Sequence, residues 1–282
     1  MKKFLLFIAL AVPAAAFAQE TVDEGLSFSA RTTVEADAKL AKGLHVLAHE
    51  EFRWYTGTED ILRSYSGIGL EYKVASFLKV GAEYELINRY KVESDKEGKE
   101  WNEWSRRHRG QFFAAGTLTA GDWQFGLKET FRATFRPDEG NPYQAPQTAL
   151  ALKSKLSVKY RGMGRVVPYA AFEVRNTLND AAYSATYDPS AKTNKDRYRD
   201  EVFLGYTHAY INRLRAQAGV QVKFNKHHEL DFYLLGDHYK YKEIDTNREG
   251  SDSWKENGLV LKSITWYTGN MLSAGIGYTW SF

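Results

Sequence analysis

The chain has 282 residues, of which 43% are hydrophobic, 26% charged and 15% aromatic, with a mean hydropathy of -0.50 and a formal charge of +3. That length admits one large domain or two small ones, and the near balance of charge offers no basic field for a nucleic acid. With no cysteine there are no disulfides, thiolate metal sites or cysteine nucleophiles.

The first eighteen residues read as a secretory signal peptide. Met1-Lys2-Lys3 is a basic start, Phe4 to Ala16 is apolar and broken by Pro13, and Ala16-Phe17-Ala18 is an A-x-A cleavage site. Cleavage there would leave Gln19 first and a formal charge of +1 on residues 19–282, which read as one domain. After residue 18 no stretch approaches the ~18 apolar residues of a membrane helix. An exported chain can still cross a membrane as a closed barrel, because a barrel pairs all of its backbone groups internally.

Leu26–Leu40 alternates strictly. Leu26, Phe28, Ala30, Thr32, Val34, Ala36, Ala38 and Leu40 share one parity; Arg31, Glu35, Asp37 and Lys39 share the other. A period of two held this long exceeds the usual strand of about 5–6 residues. The same pattern recurs at Leu44–Tyr55, Leu62–Val74, Leu78–Lys91, Arg107–Ala120 and Trp123–Arg136. It continues at Thr148–Tyr160, Val166–Asn176, Asn212–Phe224, Glu229–Tyr241 and Leu272–Phe282. Short turns at 41–43, 75–77, 121–122, 161–165 and 225–228 alternate with long polar stretches at 92–104, 137–147, 177–196 and 242–257.

This pattern predicts an all-β fold, an antiparallel transmembrane β-barrel of about 10–12 strands with short periplasmic turns and long extracellular loops. A soluble lipocalin-like barrel or sandwich is the competing reading, with the apolar face turned onto a core. Strand length, export and aromatics near segment ends (Trp54, Tyr90, Trp123, Tyr160, Trp280) favour the membrane. Eleven segments are clear, whereas single-chain bacterial barrels usually have an even number. Val202–Ile211 and Leu259–Tyr267 directly precede clear segments; they could extend those strands above the membrane, or one of them could be a separate strand, and twelve is the favoured count. Glu50 and Glu129 fall on the apolar parity, which predicts a bulge or a rim position for each.

The runs KLAKGLHVLAHEEFRW (39–54), YSGIGLEYKVASFLKVGAEYEL (65–86), NRLRAQAGVQVKFNKHHELDFYLL (212–235) and AGIGYTWSF (274–282) resemble the outer-membrane barrel family catalogued as domain of unknown function 2490. The resemblance covers most of the chain after residue 18. It implies a barrel in the Gram-negative outer membrane and carries no site residues. A lesser likeness is to the narrow monomeric porins that pass acidic oligosaccharides. The terminal Phe282 resembles the signal by which outer-membrane barrels engage their assembly machinery.

Charges on the polar parity would face the lumen. Basic ones outnumber acidic ones by about two to one, the acids gathering in the first four segments and the bases in the fifth to seventh. Arg107, Arg109, Lys128, Arg132, Lys153, Lys155, Arg213 and Arg215 are the expected pore-lining set. An open lumen so lined would attract small anionic solutes. If the charges cross-pair instead, they would plug a narrow, closed barrel whose long loops bind a partner or glycan.

A lipid-modifying barrel enzyme is the third reading. Its histidine candidates are His45, His49, His108, His208, His227, His228 and His238. His45 and His49 share a face with Glu51, but four residues along a strand is about 13 Å, too far for joint metal binding without a third element. No nucleophile elbow or zinc-binding helix motif occurs. The expectation is a monomeric, non-enzymatic, outer-membrane protein with no cofactor or metal, whose partners are membrane lipid, the assembly machinery and a small anion.

Overall fold

The computed structural model describes residues 20–58, 60–94, 99–137, 141–188, 190–191, 198–246 and 261–282. The signal-peptide reading of residues 1–18 lies outside them, as do parts of the four long connections. Thirteen strands, and no helix, make up the regular structure of the described residues. They are β1 (Glu20–Ala41), β2 (Leu44–Thr56), β3 (Asp60–Ala75), β4 (Leu78–Ser94), β5 (Glu100–Ala120), β6 (Trp123–Phe135) and β7 (Thr148–Tyr160). Then follow β8 (Val166–Asp180), β9 (Tyr183–Tyr187), β10 (Tyr198–Phe203), β11 (His208–Lys223), β12 (His228–Thr246) and β13 (Leu261–Ser281).

Eleven strands close a barrel in the order β1-β13-β12-β11-β8-β7-β6-β5-β4-β3-β2. Each clear alternating segment supplies one wall strand, so the count falls within the expected range and one short of the favoured twelve. Leu261–Tyr267 proves to be the upper part of β13. Val202–Ile211 is split: Val202 and Phe203 end β10, and His208–Ile211 begin β11. An odd number of up-and-down strands brings the first and last into the same direction. The seam is therefore parallel, β1 on β13, from Leu26↔Asn270 to Asp37↔Ser281. All other wall pairs are antiparallel. The chain end is clasped there: Lys39 N–H donates to the Phe282 carbonyl and Phe282 N–H to that of Asp37, both at 2.9 Å.

The strands tilt. The hydrogen-bonded row that begins at Leu44, beside a short turn, passes Glu129 and Ser154 and arrives at Asn270 and Leu26 near the opposite rim. The stretch 92–104, expected as loop, is mostly strand: β4 runs to Ser94 and β5 starts at Glu100. Likewise β8 and β12 run on to Asp180 and Thr246.

Alternation sorts side chains as expected. Phe28, Val34, Ile68, Phe112, Phe125, Leu156, Phe172, Leu234, Leu272 and Trp280 stand exposed on the outside. Ser27, Ser29, Arg31, Glu85, Gln111, Thr130, Glu173 and Asp237 are buried inside. This inverts the pattern of a soluble sandwich. The outward apolar band ends in polar residues towards the long-loop rim. There His238 meets Asn270 (3.1 Å), Asn88 donates to Ser64 (3.2 Å), and Tyr84 pairs with His108 (2.6 Å). Glu129 does not behave as expected. It is outward in the middle of β6 with unbroken register on both sides, and the Ser154 hydroxyl donates to it at 2.6 Å. Glu50 also keeps its register, in mid-β2 opposite Val34 and Ser66. Neither sits at a bulge.

Inside, glycines make room for rings. Tyr233 lies opposite Gly275, and a Cβ on that glycine would come within 2.1 Å of the phenol ring. The buried apolar cluster lies elsewhere, on the outward register of β12 and β13 beyond the polar positions. Ala181, Ile244, Leu261 and Ile264 form it, covered by Tyr183, Ala185, Tyr198 and Phe203 of the β9–β10 region. Pairing with each other, β9 and β10 fold over this face and do not enter the wall. Tyr183 donates to the Tyr143 carbonyl at 2.5 Å. Lys242 donates to His208 Nδ1 at 2.9 Å, which requires a neutral ring nitrogen. Burial and the Lys242 ammonium together hold His208 below the ordinary histidine range.

Gly275→Ala should cost about 1–3 kcal/mol through overpacking, measured by urea unfolding in detergent micelles, with Tyr233→Ala restoring much of the loss. A histidine neutral when packed and protonated when released takes up a proton on opening. Lys242, which bonds both His208 and the Ala181 carbonyl, should therefore anchor the foot of the β9–β10 hairpin fully above about pH 6.5 and less firmly as pH falls below it. Amide exchange of β9 and β10 at pH 8 and pH 5 should show faster exchange in acid, and His208→Gln should flatten that dependence.

Candidate functional site in the lumen

All eight expected lining residues fall in the inward register, and most are engaged in polar networks. On one wall Asp237, its side chain 1% exposed, sits among three arginines: Arg215 at 2.7 Å, Arg31 at 3.4 Å and Arg213 at 3.8 Å. Arg31 reaches it from β1 across β13, and this pair ties the two sides of the seam together. Arg215 also approaches Glu173 (3.9 Å), which takes Lys153 at 3.2 Å. A carboxylate this deep is tolerable only because several cations and hydrogen bonds surround it.

A second network centres on Glu85, which accepts from Arg109 at 2.8 Å and Gln111 at 3.4 Å. Gln111 in turn accepts from Arg132 at 2.9 Å. Towards the long-loop rim Arg53 pairs with Glu51 (2.6 Å) and lies over the Tyr65 ring at 4.1 Å, and Asp60 holds both Arg63 and Arg89. Arg107 lies inward opposite Ile87. Arg53 on β2 is in electrostatic reach of Arg132 on β6 and Arg215 on β11, so charges interact from wall to wall. Many of these inward side chains are buried, in a barrel that stands between an 8-strand one filled by side chains and a 16-strand one with a channel.

The balance fails on one wall. Lys128 on β6 faces Lys155 on β7 directly. Like charges so placed destabilise a sheet. Lys128 rests over the Phe113 ring at 4.0 Å. Among the described residues neither lysine has a carboxylate at ion-pair distance, nor do Arg132 and Arg175. Arg132 donates to Gln111, and Arg175 donates to Asn212 at 2.8 Å. Between Lys128 and Arg132, the Thr130 hydroxyl is buried without a hydrogen-bond partner. The wall of β6, β7 and β8 thus carries an excess of donors and positive charge.

The histidines disperse. His45 pairs with Asp37 at 2.6 Å, His228 with the Tyr278 hydroxyl at 2.6 Å, and His108 is outward with Tyr84. His49 leaves Glu51 and crosses β3 to Glu83 (3.0 Å) and Glu85 (3.5 Å). Spacing along one strand could not find this triad, because its members sit on two strands separated by a third. The usable signal was the inward glycine pair Gly67 and Gly69 between them.

The chain belongs to the family described as "Protein of unknown function (DUF2490)", which matches residues 28–248. The match spans β1 to the end of β12 and agrees with the resemblance carried by the strand-turn-strand runs. No curated protein matches the chain.

Asp237→Ala would leave Arg31 and Arg215 buried without their carboxylate and should cost about 3–5 kcal/mol. Equilibrium unfolding in detergent reads this loss, and Glu229→Ala at the exposed short-turn rim should change little.

Proposed function

We propose that the protein is a monomeric outer-membrane barrel whose lumen binds, and in a narrow passage conducts, small anionic solutes. One observation carries this reading: the cationic wall of Lys128, Lys155, Arg132 and Arg175, together with the partnerless Thr130 hydroxyl. An anion among these groups would relieve the lysine–lysine repulsion and accept the free donors at once. Opposite charges about 4 Å apart attract by about 4 kcal/mol at an effective dielectric of 20, so occupancy would be favourable without dismantling the other networks. No redox or acid–base step is required, and the reading is not enzymatic.

The membrane setting is argued from the outer wall. An apolar band of about ten residues per strand, tilted about 40°, is roughly 25 Å tall, which suits an outer membrane. Exposed apolar area this continuous needs a non-aqueous neighbour. In this setting the short turns face the periplasm and β9–β10 lies outside the cell. Phe282, held by β1, would be the residue that the assembly machinery reads. The Asp237 and Glu85 networks favour a second reading, a closed barrel whose function lies in its outer surface, with Trp101 and Trp104 of the β4–β5 extension exposed for a partner or glycan.

Single-channel recording in a planar bilayer under a potassium chloride gradient separates the two. The anion reading expects small conductance steps with a reversal potential on the chloride side. The double variant Lys128→Gln/Lys155→Gln should bring the reversal potential towards zero. Absence of any conductance, with no anion retained by the purified barrel in equilibrium dialysis, would leave the closed barrel.

A further inference from the structure

A second site in the lumen lies beside the cationic wall, joined to Arg132 through Gln111. His49 comes from β2, and Glu83 and Glu85 from β4, with β3 between them. Two strand spacings are about 9.5 Å, too far for these side chains to meet over an ordinary intervening residue. The residues of β3 beneath them are Gly67, in register with His49 and Glu85, and Gly69, in register with Glu83. A Cβ on Gly67 would lie 2.1 Å from the imidazole, and one on Gly69 would lie 3.1 Å from the Glu83 side chain. The two glycines clear a floor on which an imidazole and two carboxylates converge.

We propose that His49, Glu83 and Glu85 form a binding site for a divalent transition-metal ion, with zinc the best fit. One ligand atom from each residue lies within 4.8 Å of the others. Tetrahedral ligands on zinc are about 3.4 Å apart at bonds near 2.1 Å, so the side chains would draw inward by about an ångström. Imidazole with carboxylates suits zinc, and calcium or magnesium would prefer an all-oxygen set. Three protein ligands leave a fourth position for water or a solute oxygen.

A second observation marks the site as more than a charged pair. Glu83 Oε1 is buried and accepts no hydrogen bond, although it lies 3.0 Å from His49 Nδ1. Its lone pair and the ring nitrogen converge without the alignment that a hydrogen bond needs. Glu85 stands 3.5 Å from the other ring nitrogen, Nε2, so a cation shared by all three residues would require the imidazole to turn until one nitrogen serves it with both carboxylates. Arg109 and Gln111, which donate to Glu85, would steady that carboxylate from the outer side, as supporting hydrogen bonds do around metal ligands.

Zinc titrated calorimetrically into the purified, detergent-solubilised barrel tests the proposal. One equivalent should bind, and X-ray absorption at the zinc edge should show one imidazole with oxygen donors. His49→Ala and Glu83→Gln should each weaken binding at least tenfold while heat-modifiable gel migration stays normal. The double variant His227→Ala/His228→Ala, at the exposed turn, should bind as the parent does. Absent stoichiometric binding would overturn the proposal. So would zinc retained equally by His49→Ala and Glu83→Gln, or an absorption spectrum without imidazole. None of these results bears on conductance, so the anion reading stands or falls separately.

Discussion

A sheet with one face exposed to an apolar medium cannot leave an edge, because each unpaired backbone group would cost several kcal/mol there. In the membrane setting proposed above, closure between β1 and β13 would meet that demand, and much else depends on how closure is made. With eleven strands the seam must be parallel, whose slanted bonds are slightly less stable per residue than antiparallel ones. The structure reinforces it. β13 is 21 residues long, β1 is 22, and the terminal Phe282 is bonded to β1 on both its N–H and its carbonyl. Inside, Arg31 spans β13 to Asp237, and Ser29 meets Ser273 at 2.6 Å across the seam itself.

Closing the wall creates the interior problem. Alternation sends every second residue inward, and an eleven-strand barrel, between the small ones that side chains fill and the large ones that leave a channel, has too many polar positions for an apolar core. The solution combines bulky rings seated over glycines with carboxylates shared among arginines. Asp237 and Glu85 each gather several donors, which makes the interior rigid in two places. Acids run short on the wall of β6 to β8, so Lys128 and Lys155 face each other. The same arithmetic that pairs the charges around Asp237 and Glu85 leaves the β6 to β8 wall with more bases than acids.

Much of this was legible in the residues. A period of two carries both the strand and its sidedness, which is why all eleven wall strands and the inward set from Arg107 to Arg215 could be placed. Long-range matters were less legible. Val202–Ile211 has strand composition throughout, so composition does not separate its first two residues, which end β10 and pack with it beside Ile244 and Ile264, from its last four, which extend β11. The stretch 92–104 reads as loop because it is mostly polar and its two tryptophans, Trp101 and Trp104, fall out of alternation. Glu129 breaks the pattern, which predicts a bulge or a rim position; it has neither, and a hydroxyl on the next strand, Ser154, donates to it instead. The His49 triad needed knowledge of which strands neighbour which, and alternation within one strand holds none.

The chain has no cysteine, so any introduced one is unique and can carry a spin label. Labels at each position from Leu26 to Leu40 of β1, in the barrel reconstituted into phospholipid, would report contact with lipid-soluble oxygen and with a water-soluble nickel chelate. Oxygen contact should be high at even positions such as Phe28, Val34 and Leu40, and low at odd ones such as Arg31, with a period of two along the strand. High chelate contact at the even positions, or no alternation at all, would mean that the apolar face does not meet lipid and that the barrel does not span a membrane.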